Sequence, residues 1–210
     1  MWNKREYEMK LIGLFDSPYV RRVAVSMRLQ GLAFEHVALS VFRHQDEMRA
    51  INPLVKVPML VLDNGDKLIE SSFILDYLDG VVKPEQRLVP VSGAVRQQIL
   101  QECAVALVAT EKAIQVYYDT QLRPAEFSYG PWVARCTEQM HDAFAMLDAH
   151  PVSPLLSGAP ITQADITKAV ALRFARFVHP TQFPDGRYPQ LEKLSAYCEA
   201  LPAFLETPLE

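Results

Sequence analysis

Glycine is scarce in this sequence and proline is not: 8 and 15 of 210 residues, against about 15 and about 10 at average usage. The glycines stand at 13, 31, 65, 80, 93, 130, 158 and 186, too scattered for G-x-G-x-x-G or a Walker-type loop. Both loops need glycine so that main-chain N–H groups can approach a phosphate, which argues against nucleotide enzymes of those two types. Cysteine is also sparse. Cys103, Cys136 and Cys198 are isolated, with no C-x-x-C and no metal-ligand spacing. They read as reduced thiols in a cytoplasmic protein, and no metal is expected. There is no basic excess either: Lys+Arg 21 against Asp+Glu 25 gives a net charge of −4, the opposite of a phosphate-neutralising surface, so no nucleic-acid partner is expected. Long hydrophobic runs are missing. The charged start MWNKREYEMK is followed only by Leu11–Phe15, too short for a signal-peptide core or a membrane span. Met9 reads as a natural start behind a short extension.

What is present is globular composition, 50% hydrophobic and 22% charged, at a length that suits one large domain or two small ones. Residues 9–80 alternate short strands and helices. Lys10–Phe15 is a strand-like run stopped by Asp16-Ser17-Pro18, and Pro18 suits the first position of a helix, where its missing N–H matters least. Apolar groups at 20, 23, 24 and 27 follow a helical period. Phe34–Leu39 reads as a strand and 44–51 as a short polar helix. Pro58–Leu62 and Lys67–Ile69 flank Asp63-Asn64-Gly65-Asp66, a hairpin signal. Ser71 or Ser72 then caps a helix. The order β-α-β-α-β-β-α is a parallel βαβ unit followed by an antiparallel hairpin and a closing helix.

Beyond a linker at 81–91, containing Pro84 and Pro90, strand signals stop. The spacing predicts helices over 92–122 (apolar at 95, 99, 103, 107 and 114) and 131–149 (Val133, Cys136, Met140, Phe144, Leu147). A third starts at Thr162, with Asp165 completing a capping-box-like pattern and an apolar face of Ile166, Val170, Phe174 and Phe177. A fourth covers 188–201 (Leu191, Leu194, Tyr197, Leu201). The expected architecture is α/β plus all-α: domain 9–80, linker 81–91, helical domain 92–205.

Four features of the first half converge. Ser17 lies between the first strand and the first helix. Val57-Pro58 opens the third strand. Glu70-Ser71 stands where the fourth strand meets its helix. Arg43, His44 and Lys56 supply positive charge nearby in sequence. With Ser17-Pro18-Tyr19-Val20-Arg21-Arg22-Val23, Asn52-Pro53-Leu54-Val55-Lys56-Val57-Pro58, Glu70-Ser71 and the Ala164-Asp165 helix start, the chain resembles the cytosolic glutathione transferases, of the bacterial type with a serine motif, over about residues 9–205.

The resemblance implies a thioredoxin-like N-terminal domain that binds glutathione as co-substrate, an all-helical C-terminal domain, a homodimer, and conjugation of the glutathione thiolate to a small electrophile in detoxification. It casts Ser17 as the thiol-activating residue, with Tyr19 a second-ranked candidate. Glu70 would bind the γ-glutamyl ammonium and Ser71 the carboxylate. Val57 would pair its main chain with the peptide ahead of a cis Pro58, and Arg43, His44 and Lys56 would take the glycine carboxylate. Phe15, Tyr19, Tyr117, Tyr118 and Phe177 are candidate walls of an electrophile pocket between the domains; Pro58, Thr162 and Asp165 are structural. The family often has glycine where this chain has Val55. A β-branched residue tolerates positive φ poorly, so that loop is expected to depart from the usual arrangement.

The chemistry asked of Ser17 is moderate. A free thiol has a pKa of about 8.5, and lowering it two units takes about 2.7 kcal/mol. A hydroxyl hydrogen bond to an ionised sulfur supplies roughly 1.5–3 kcal/mol, and a helix N-terminus roughly 0.3–1 kcal/mol. As a bare position, Ser17 is equally a favoured helix cap. Ser17 and Val20 stand where a thioredoxin-type cysteine pair would, which argues against dithiol chemistry. Two other readings remain open: a binding protein that keeps the scaffold without the reaction, like the stringent starvation proteins, and a glutathione-dependent isomerase or lyase. The S-S-C-type motif of maleylacetoacetate isomerase relatives is missing around Ser17.

Overall fold

The computed structural model describes residues 9–150 and 152–209; the extension ahead of Met9 lies outside them. Two compact units divide the chain. One runs up to Leu88 and regains the chain at Pro202; the other is Val89–Leu201.

The first unit contains β1 (Met9–Ile12), α1 (Pro18–Leu29), β2 (Phe34–Val37), α2 (Gln45–Ile51), β3 (Met59–Val61), β4 (Lys67–Ile69) and α3 (Ser71–Val81). The sheet order is β2-β1-β3-β4. β1 and β2 are parallel, with Leu11 opposite His36, while β1–β3 and β3–β4 are antiparallel, with Leu11 opposite Leu60 and Met59 opposite Ile69. This is the thioredoxin-like half. Successive residues of a strand face opposite sides, and β1 shows it. Leu11 packs with Val20, Val23 and Met27 of α1 and Ile74, Leu75 and Leu78 of α3. Ile12 packs instead with Met48 of α2, Met59 and the partly buried Val55 and Val57. Burying each such side chain stabilises by roughly 1.5–3 kcal/mol.

Strand β1 ends at Ile12 rather than continuing to Phe15. Gly13 takes φ 132°, and the Ser17 N–H closes a turn on the Leu14 carbonyl at 3.2 Å. The hairpin forms as its Asn-Gly predicts: Gly65 has φ 87°, and the Leu62 N–H reaches the Asp66 carbonyl at 2.8 Å.

The second unit holds α4 (Ala94–Tyr117), α5 (Gly130–Asp148), α6 (Gln163–Val178) and α7 (Pro189–Glu199). On α4 the buried stripe is Ile99, Cys103, Ala106, Ala109, Thr110, Ala113 and Val116. Val95 is 60% exposed, so the stripe runs through alanines rather than through every large apolar residue. Small side chains let α5 and α6 approach closely. The capping box at α6 forms: Thr162 N–H donates to Asp165 Oδ2 at 3.0 Å, and Ser153 Oγ donates to Oδ1 at 2.5 Å. Lys168 on α6 meets Glu102 on α4 at 2.6 Å, both nearly buried. Phe177 and Tyr197, expected on apolar faces, are exposed.

The last helix, α8 (Pro202–Leu205), belongs to the first unit. Arg21 Nε on α1 donates to the Thr207 carbonyl at 2.7 Å, and its guanidinium stacks over Phe204 at 5.5 Å. Arg28 pairs with Glu206. The expected helical domain at 92–205 thus gives its final turn to the α/β unit.

Candidate functional site

Ser17 is the N-cap of α1, with its hydroxyl oxygen accepting the Val20 N–H at 3.4 Å. It is half-buried, and among the described residues no acceptor takes its hydroxyl proton. One group thus serves as both helix cap and unspent donor.

The Val57-Pro58 bond is cis. Among the described residues neither the N–H nor the C=O of Val57 makes a hydrogen bond. Two groups fix this loop. Gly13 lies under it: a Cβ there would come within 3.0 Å of Val57 Cβ and 2.5 Å of Val20 Cγ2. Asn52, buried, donates from Nδ2 to the Lys56 carbonyl at 3.1 Å and accepts the Leu54 N–H at 3.1 Å. Between them Val55 itself takes φ 50°. This β-branched residue takes the left-handed conformation at a cost of about 1–2 kcal/mol. Its side chain packs into the cluster beneath α2.

Glu70, not Ser71 or Ser72, is the N-cap of α3. It too has positive φ, 70°. Its Oε2 accepts the Ser72 N–H at 3.2 Å, and its Oε1 accepts the Ser71 hydroxyl at 3.3 Å. Ser71 is 1% exposed. Beneath it, buried Arg22 of α1 donates from Nη1 to Ser71 Oγ at 3.1 Å. That bond ties the helix capped by Ser17 directly to the one capped by Glu70.

Arg43 and Lys56 are exposed, and His44 is half-buried at the start of α2. His44 Nδ1 accepts the Ser40 N–H at 3.0 Å. An imidazole nitrogen that accepts carries no proton, so the ring proton sits on Nε2 and is available to an anion.

Phe15 is 7% exposed and stacked on His36, ring centroids 3.9 Å apart. It belongs to the core, with little ring surface left for a ligand. Tyr19 is half-buried on the first turn of α1. Tyr117 ends α4 in the second unit and Tyr118 follows it, their rings 6.3 Å apart.

All three cysteines are buried and none is in a disulfide, so none is placed to act as a nucleophile of its own. Burial pushes the Cys136 thiol up. Burial, reinforced by the negative charge of Asp165, pushes Cys198 up to about 12. Among the described residues no group of three or more His, Cys, Asp or Glu is placed to hold a metal, and no helix is long and apolar enough to cross a membrane.

Residues 11–85 match the model of the glutathione S-transferase N-terminal domain, and residues 130–200 that of the C-terminal domain. A glutathione transferase family member from Pseudomonas fluorescens Pf-5, crystallised with bound glutathione, is 30% identical. It superposes with a TM-score of 0.85 over 96% of this chain and 99% of its own. The chain belongs to the glutathione S-transferase family. A glutathione S-transferase from Methylobacterium radiotolerans in complex with glutathione sulfonate is also similar, 26% identical with a TM-score of 0.82 over 95% of this chain and 93% of its own. So is glutathione S-transferase Z1 of Arabidopsis thaliana, 27% identical over 97% of this chain and 93% of its length.

Gly13, Asn52 and Arg22, which hold the candidate site together, do not stand out in the sequence as site residues. Gly13 had a signal, a glycine directly after a strand. Asn52 and Arg22 stood inside motifs already singled out, but their roles depend on what they touch.

Proposed function

We propose that this chain is a glutathione transferase. It binds glutathione on its first unit and adds the thiolate to a small electrophile. The observation that supports this most is the Ser17 hydroxyl, held by the α1 amide end with its proton unspent, in a chain whose 30%-identical relative was crystallised with glutathione. Arg22 lies five residues along α1 from Ser17, about 7.5 Å at 1.5 Å per residue. An extended tripeptide spans about 10 Å. The peptide would then run from the α3 N-terminus, with its γ-glutamyl group at Glu70 and Ser71, to its sulfur at Ser17. The unpaired main chain of Val57 would bond the cysteinyl residue, and His44 Nε2–H, Arg43 and Lys56 would receive the glycine carboxylate.

Ser17 donates to the sulfur and stabilises the thiolate without acting as a base. The thiol proton leaves to solvent. The sulfur lone pair then forms the C–S bond as the electrophile loses its leaving group or its carbanion takes up a proton. Tyr117 and Tyr118 are the second unit's candidates for contact with the electrophile. Phe73 and Tyr77, exposed one turn apart on α3 with Val81 beyond, suit a homodimer. Three buried thiols, none in a disulfide, suit the reducing cytoplasm, where conjugation of electrophiles would serve detoxification.

The test is retention on immobilised glutathione, followed by conjugation kinetics for the parent and Ser17→Ala. Retention with conjugation lost in Ser17→Ala supports the proposal. Retention with no turnover of any electrophile by the parent favours the binding-protein reading, and failure to bind overturns the proposal.

A further inference from the structure

A hydroxyl has one proton to give and two lone pairs to receive. At Ser71 one lone pair is engaged by the buried Arg22, whose Nη1 lies 3.1 Å from Oγ. The same nitrogen reaches Ser72 Oγ at 3.5 Å. The Ser71 proton is thereby directed outward to a second acceptor. That acceptor is a carboxylate, Glu70 Oε1 at 3.3 Å, whose other oxygen takes the Ser72 N–H at 3.2 Å. The N-terminus of α3 therefore already holds a carboxylate, the chain's own.

We propose that Arg22 is a positioning residue for glutathione, acting through Ser71 to make this seat selective for the γ-glutamyl carboxylate. The ligand's carboxylate displaces that of Glu70 from the Ser71 hydroxyl and the Ser72 amide. Glu70, released, turns to the neighbouring ammonium. Arg22 never touches the ligand. It orients the Ser71 proton and places a buried positive charge behind it. A carboxamide at the same position gains less from that charge and can accept with only one oxygen. The inference rests on the proposed glutathione site.

The experiment measures calorimetric affinities of the full chain for glutathione and for the analogue whose γ-glutamyl carboxylate is a carboxamide. The parent is expected to prefer glutathione by about tenfold or more, the size of one charge-assisted hydrogen bond. Arg22→Gln and Ser71→Ala should each cut that preference to within about threefold, by weakening glutathione rather than the analogue. Arg22→Lys, which keeps the charge but not the fork, should fall between. Thermal unfolding confirms that each variant is folded; should Arg22→Gln not fold, Arg22→Lys and Ser71→Ala decide. Equal losses for both ligands, or a preference undiminished in the folded variants, overturn the inference and leave Arg22 a tie between α1 and α3. A parent that binds both ligands equally overturns the inference alone, whereas a parent that binds neither overturns the proposed function with it.

Discussion

Val20 packs against Gly13 so closely that a Cβ built at Gly13 would stand 2.5 Å from Val20 Cγ2. Val20 is fully buried on the first turns of the helix that Ser17 caps, and Gly13 closes β1 with φ 132°. The helix end, the strand end and the Val57 loop therefore meet at a point with no room for a side chain.

Gly13→Ala should destabilise the protein by about 2–4 kcal/mol, from overpacking together with a backbone conformation alanine resists. Urea unfolding checks it. Glutathione affinity should also fall in whatever fraction stays folded, because Val57 would be pushed from beneath.

Asn52→Ala leaves the Lys56 carbonyl and the Leu54 N–H without their side-chain partner. A loss of about 1–3 kcal/mol is expected. The more specific outcome is local. Amide hydrogen exchange over residues 54–57 should accelerate beyond what the global loss explains, because Val55 at φ 50° relies on those bonds to hold it.

Stability should fall on both sides of neutrality. Burial lowers the pKa of His141 and of His179 below 6.5. Folding therefore favours their neutral forms, and that stabilisation, complete above the unfolded value, is lost as pH drops below about 6.5. Burial raises Cys198 from 9.0 to about 12. Its contribution is complete below pH 9 and is lost as pH climbs from there toward 12. Urea unfolding across pH should show both declines, and Cys198→Ala should flatten the alkaline one. At pH 8 the native chain should react with an aromatic disulfide reagent only at the rate of its unfolding.

Much of the fold was legible because local chemistry and tertiary need coincide at particular residues. Ser17-Pro18 starts a helix, Asn64-Gly65 turns a hairpin, and Thr162 with Asp165 caps α6. The misses share one cause: local pattern cannot say what a side chain meets across the fold. The α4 stripe runs through Ala106, Ala109 and Ala113, whose small size counts for little in a hydrophobic pattern but lets helices approach. Phe15 reads from sequence as a ligand contact, but His36 stacks on it in the core. The return of α8 depends on Arg21 meeting Phe204 and Thr207, partners far along the chain. At the candidate site the residue types were readable. The positive φ of Glu70 and the Arg22–Ser71–Glu70 chain were not, because they arise only when α1 and α3 pack side by side.

The most direct measurement is the pKa of the bound glutathione thiol, followed by ultraviolet thiolate absorbance against pH in the parent and in Ser17→Ala. The account predicts a bound thiol about two units below the free value of about 8.5 in the parent, and a return most of the way in Ser17→Ala with binding retained. A bound thiol whose pKa is the same in both proteins would contradict it.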